Sequence, residues 1–172
     1  MAVLIWVVEG SWPACVDAAG RLGWSGDRVM LIYVREAEVT AAVAGAYAGL
    51  FGRGRPARDP SQRLTEASIS VAEELLDAAE ARLGRPAQRL IRTGRVEREV
   101  VAAATGVDML IVARDGDLSR LGPRSLGRHT RFVVDHAPCP VLLVWPRIAP
   151  SVESIPPPPD RPPGSGNRVG AD

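Results

Sequence analysis

The residues best suited to chemistry fall in one run, Leu110-Ile-Val-Ala-Arg-Asp-Gly-Asp-Leu-Ser-Arg-Leu-Gly-Pro-Arg-Ser-Leu-Gly-Arg-His-Thr130. An apolar stretch leads into a loop bearing Gly116, and a helix is expected to start near Gly127. Backbone N–H groups at a helix N-terminus attract anions, and glycine lets a phosphate come close to the main chain. Arg128 could add a charge-assisted contact and Thr130 a hydroxyl. The same spacing also describes an ordinary glycine-punctuated turn, so it does not name a ligand by itself.

Other chemistry is poorly supported. His129 and His136 are the two histidines, and neither stands at ligand spacing from Cys, His or Asp, so no metal site is expected. Ser119 and Ser125 have no base partner within the run, which disfavours nucleophilic catalysis. Trp6, Trp12, Trp24 and Trp145 suit packing, with Trp12 closest to the expected crevice. Glu73, Glu74, Asp77 and Glu80 read as a solvated helix face. All 21 basic residues are Arg, balanced by 20 acidic ones for a net charge of +1. That balance gives no electrostatic reason to expect nucleic acid as a partner. Cys15 and Cys139 are far apart and suit reduced, packed thiols. The N-terminal Met-Ala-Val-Leu-Ile-Trp-Val-Val lacks a basic region and is too short to span a bilayer. Neither secretion nor membrane insertion is expected, and the cytoplasm is the expected location.

The elements that must position these residues alternate along the chain. Residues 3–8, 29–34 and 108–113 are short apolar runs, as in strands covered on both faces. Residues 88–92 alternate more weakly and suit a sheet edge, and residues 141–144 form the last strand. Ser11 can cap a first helix that tolerates Pro13 in its first turn, with Cys15, Val16, Ala18, Ala19 and Leu22 as its apolar stripe and Gly23 as its stop. A long helix carries Leu64, Ile69, Val71, Ala72, Leu75, Leu76, Ala79 and Leu83 before Gly84 and Pro86. Helices are also expected over residues 96–104 and 126–135, and a short one over 41–50 ahead of a Gly-Arg-rich loop at 52–56. Alternation of this kind implies right-handed crossovers and a parallel sheet. Five strands favour an α/β, flavodoxin-like, doubly wound parallel sheet of order 3-2-1-4-5. The crevice then lies where the order reverses, at the carboxyl ends of strands one and four, bringing Glu9, Gly10 and Ser11 beside residues 113–116.

Three stretches together resemble the universal stress protein family: Val7-Val-Glu-Gly-Ser11, the glycine run, and His136-Ala-Pro-Cys-Pro-Val141 before the last strand. The resemblance covers nearly all of residues 1–146. It implies a small cytoplasmic stress-response regulator, usually dimeric, from a family in which one branch binds ATP and another does not. The nucleotide-binding branch carries Gly, two residues, Gly, nine residues, then Gly before Ser or Thr. Here Ala113 stands in the first position, Gly116 in the second and Gly127 in the third, with ten residues between Gly116 and Gly127. Arg128 replaces the small hydroxyl residue, with Thr130 close by. Glu9 replaces the adenosine-contacting Asp and reaches one methylene further, and Val34 fits the position that packs on adenine. Were position 113 to need a positive φ, Ala there would cost on the order of 1 kcal/mol. Arg128 could fill the phosphate pocket or pair with phosphate bidentately, and Pro123 stiffens the loop.

The candidate binding set is therefore Glu9, Ser11, Val34, Ala113, Gly116, Gly127, Arg128, His129 and Thr130. The resemblance implies ATP or a related adenine nucleotide as ligand, with Mg accompanying it. With no Walker-type lysine and no dedicated general base, any ATP hydrolysis is expected to be slow. The rival reading is a dimeric interaction module in which Arg128 and the altered loop close the pocket. Val141, Leu142, Leu143, Val144 and Trp145 make an apolar final strand that the resemblance pairs across a two-fold axis in a homodimer. Residues 147–172 read as a disordered Pro-rich tail that favours polyproline II, with docking to a Pro-recognising protein as the alternative.

Overall fold

The computed structural model describes residues 1–23, 28–36 and 60–157, of which 60–66 by backbone alone. The expected turn at 25–27, Trp24, the helix at 41–50, the loop at 52–56, the Leu64 side chain and the tail beyond 157 lie outside the described residues.

The order of elements is β1 (Ala2–Trp6), α1 (Trp12–Arg21), β2 (Arg28–Glu36), α2 (Pro60–Leu83), β3 (Gln88–Gly94), α3 (Val96–Ala103), β4 (Met109–Ala113), α4 (Arg128–His136) and β5 (Val141–Val144). Short 3-10 turns at Pro123–Ser125 and Val152–Ser154 precede α4 and follow β5. All strand pairs are parallel and the sheet order is β3-β2-β1-β4-β5, the flavodoxin-like arrangement. β3 is an edge strand, as its weaker alternation implies.

Alternate side chains of each strand feed two cores. On one face Val3, Ile5, Val7, Leu31 and Ile111 meet Cys15, Val16 and Ala19 of α1 and Leu76 and Ala79 of α2. On the other, Leu4, Trp6, Ile32, Leu110 and Val112 meet Val100 of α3, Ala104 at its C-cap and Val133 of α4. Helices on both faces explain why the central strands are continuously apolar, since neither side of the pleat meets water.

Several local expectations change. Ser11 is the N-cap residue of α1 but makes no side-chain cap; its hydroxyl donates to the Val8 carbonyl at 3.3 Å instead. Leu22 and Val71, read as core, are exposed. Leu22 is the C-cap residue of α1, beyond the turns that meet the sheet. Val71 precedes Ala72, and Ala72, Leu76 and Ala79 form the buried stripe, so Val71 projects about 100° away from it. The acidic face of α2 is not wholly solvated. Glu80 accepts from the Ala87 N–H at 2.9 Å and from Arg89, and Asp77 also pairs with Arg89, which ties α2 to the start of β3. α4 starts at Arg128 with Gly127 as N-cap, two residues later than the periodicity suggests. After β5 the chain returns to the glycine loop, where the Leu121 N–H donates to Ser154 Oγ at 2.9 Å.

Candidate functional site

β1 and β4 are neighbours although β2 and β3 lie between them in sequence, so the crossovers diverge at their carboxyl ends and leave a crevice. β1 leads into a tight turn in which Gly10 takes φ +77°, a conformation costly for a residue with Cβ. The Ser11 and Trp12 N–H groups both donate to the Val8 carbonyl, at 3.1 and 3.0 Å, and fix that turn. This geometry sets Glu9 and Ser11 at the rim.

The crevice is a cavity of about 250 Å³. Trp6, Val7, Val34, Val96 and Ala113 supply apolar wall, and Glu9, Ser11, Tyr33, Glu36, Asp115, His129 and Thr130 supply polar groups. Ligand sites run from roughly 300 Å³ upward, so this cavity suits the apolar end of a ligand and not the whole of a polyphosphate nucleotide.

Six of the nine sequence candidates meet here: Glu9, Ser11, Val34, Ala113, His129 and Thr130. Gly116, Gly127 and Arg128 stand outside the cavity wall. Arg128 is exposed, so its side chain does not close the cavity. Trp12 packs on the core below the sheet and is not in the wall, whereas Trp6 is both core and wall. Ala113 closes β4 opposite Val144, so its backbone is extended and needs no left-handed conformation. Thr130 is buried and its hydroxyl donates to the Ala113 carbonyl at 3.3 Å, which holds the start of α4 against the end of β4.

His129 is fixed from a second helix. Its Nδ1 lies 2.9 Å from Glu97 Oε2, and its Nε2 lies 4.0 Å from Glu36 Oε1. The Glu97 carboxyl is held below the usual carboxylate range by its own backbone N–H and by His129, against the opposing effect of burial. It is therefore ionised near neutrality and only accepts, which places a proton on His129 Nδ1.

The glycine loop is closed on itself. Gly116 and Asp117 donate their N–H groups to the Ser125 and Arg124 carbonyls at 3.0 and 2.8 Å. A Cβ on Gly116 would overlap the Arg124 carbonyl oxygen and lie 2.9 Å from the Gly127 nitrogen, so this position requires glycine for close approach. The Ser119 N–H donates to Asp117 Oδ1, Ser125 to Gly122, Leu126 to Pro123 and Gly127 to Asp115 Oδ1. Buried Ser125 is held by the Gly122 carbonyl, at 2.6 Å, and by Arg114, whose guanidinium lies over the Trp145 ring at 4.7 Å. Trp145 is thus a platform for Arg114.

Sequence reading missed Tyr33, Glu36, Val96, Glu97 and Asp115. Glu36 follows Val34 by two and therefore shares its side of β2, a period-2 signal that could have found it. Asp115 sat inside the glycine run without a spacing rule to single it out. Among the described residues no group of three or more His, Cys, Asp or Glu side chains is arranged to hold a metal, and no helix is long and apolar enough to cross a membrane.

The universal stress protein family model matches residues 9–144. No curated protein matches the chain. Among solved structures, the hypothetical protein MJ0577 aligns with a TM-score of 0.65 at 18% identity, over 86% of this chain and 97% of its own. A universal stress protein in complex with cAMP aligns at 0.52 and 19%, over 86% and 98%. The universal stress protein UspA from Lactobacillus plantarum aligns at 0.55 and 19%, over 84% and 97%. These likenesses share the fold, and the family match covers most of the chain; the chain belongs to the universal stress protein family.

Proposed function

We propose that this chain is a cytoplasmic stress-response regulator whose cavity takes the adenosine end of an adenine nucleotide. The observation that carries the reading is the cavity itself, at the switch point, with an apolar wall of Trp6, Val34 and Ala113 and polar groups at Glu9 and Ser11. A flat heteroaromatic ring gains by leaving water for such a wall, and a rim carboxylate can accept from ribose hydroxyls. The relative solved with cAMP supports an adenine ligand for a domain of this fold. Val34 would pack on the base, and Glu9 and Ser11 would meet the sugar. The nucleotide would act by biasing loop and partner contacts. The chain works as a homodimer through the apolar edge of β5, and the Pro-rich tail offers a separate site to a protein partner.

The test is to denature the purified protein and assay released adenine nucleotide, then titrate adenine ligands by calorimetry with and without magnesium. Retained nucleotide, or saturable heat, supports the reading. No retained nucleotide and no heat from any adenine ligand at millimolar concentration eliminates it and leaves the interaction-module reading.

A further inference from the structure

The end of the cavity that faces α4 is already occupied by an anion from the chain. Asp115 lines the cavity, and its Oδ1 accepts a hydrogen bond from the Gly127 N–H at 2.7 Å. Gly127 makes room for this contact, since a Cβ there would lie 2.8 Å from the same oxygen. A carboxylate on the first N–H of a helix satisfies both the orphan donor and the positive end of the dipole. A phosphate at this helix start would compete with Asp115 for that donor and for that end of the dipole.

Two independent observations weigh the same way. The first is the donor inventory: the N–H groups of Gly116, Asp117, Ser119, Leu121, Ser125 and Leu126 all have acceptors inside the protein. A phosphate cradle requires such groups to converge on the ligand. The second is charge. The cavity wall carries three carboxylates, Glu9, Glu36 and Asp115, and among the described residues His129 is its one basic side chain, bonded to Glu97. The neighbouring guanidinium of Arg114 is held by Ser125 and Trp145, and that of Arg120 by Asp117.

We infer that Asp115 sets the ligand class of this cavity, standing where a phosphate would need to bind and so selecting an adenine ligand that is uncharged at that end, a nucleoside, over nucleoside triphosphates. The inference rests on the cavity's taking an adenosine group at all. Asp115 acts by repulsion and by holding the helix donor, which is how a site rejects a competitor without tightening on its own ligand.

The experiment is calorimetric titration of adenosine, AMP and MgATP into the full chain and into Asp115→Asn, which keeps an acceptor for Gly127 but loses the charge. The wild-type chain is expected to bind adenosine roughly tenfold or more tighter than MgATP, with AMP between them. In Asp115→Asn the MgATP affinity should rise until that ratio falls about fivefold or more. Asp117→Asn, in the same loop but outside the cavity wall, should leave the ratio alone. Without any variant, added salt should narrow the wild-type ratio by screening the repulsion. MgATP binding as tightly as adenosine to the wild-type chain would overturn the inference while leaving the cavity reading intact, as would a ratio unmoved by both Asp115→Asn and salt. Binding of none of the three ligands would overturn both.

Discussion

Glu97 Oε2 stands 2.9 Å from His129 Nδ1, joining a nearly buried carboxylate on α3 to the first turn of α4. This bond crosses between two helices on one face of the sheet and holds the one histidine of the cavity wall. Loss of the Glu97 side chain leaves the ring without that partner, so Glu97→Ala should cost on the order of 1–3 kcal/mol, read by urea denaturation. A stability equal to wild type would mean that the bond contributes nothing.

The same carboxylate gives a pH dependence. The Glu97 carboxyl is depressed in the folded protein, so its contribution is present above the ordinary glutamate value of about 4.3 and is lost as pH falls through the folded value. Asp17 is depressed in the same direction, chiefly by its hydrogen bond to Arg82 between α1 and α2. Denaturant midpoints should therefore fall below about pH 4, and Glu97→Gln should flatten part of that decline. A midpoint that rises on acidification would contradict the assignment.

Gly116 is required by contact with backbone and not with a mobile side chain. Because its Cβ would overlap the Arg124 carbonyl, Gly116→Ala should force the loop open or shift its backbone, at about 1–3 kcal/mol. Thermal unfolding of this variant checks it. An unchanged midpoint would show that the loop is not closed by the Gly116–Ser125 and Asp117–Arg124 bonds.

Cys15 is buried in the core beneath α1, and burial pushes its thiol up to about 12; the half-buried Cys139 is raised by the same cause. The thiolate is the reactive form. A thiol reagent at pH 8 should modify Cys139 slowly and Cys15 only after unfolding, as peptide mass mapping would record. Fast labelling of Cys15 in the native protein would contradict the packing.

β5 pairs with β4 on one side only, and its four residues are all partly exposed. An apolar edge strand left open invites association. Sedimentation should give twice the chain mass, and Leu143→Arg should shift it toward monomer with circular dichroism unchanged. A wild-type monomer at micromolar concentration would contradict the dimer.

The topology was legible because strands covered on both faces carry continuous apolar runs, as at Val3, Leu4 and Ile5 or Leu110, Ile111 and Val112, and because strand count and alternation restrict the order. The order in turn fixed the site, since Glu9, Val34 and Ala113 had only to lie at strand ends to meet. Contacts closed by the loop were not legible. Asp115 reaches Gly127 twelve residues away and Leu121 reaches Ser154, and neither pairing has a periodicity that a sequence displays. Glu97 was missed for a related reason: a carboxylate beside Arg95 and Arg98 reads as surface charge until α3 and α4 are packed together. The glycines kept at 116 and 127 carried a phosphate-loop signal, yet in the folded chain they serve the approach of backbone and of Asp115.

The most direct measurement of the central claim is the amide NMR spectrum of the labelled protein during an adenosine titration. The account predicts saturable shifts confined to the cavity, at Val8, Glu9, Val34, Ala113, Asp115 and His129. Shifts that map elsewhere on the chain, or a spectrum unchanged at millimolar adenosine, would contradict it.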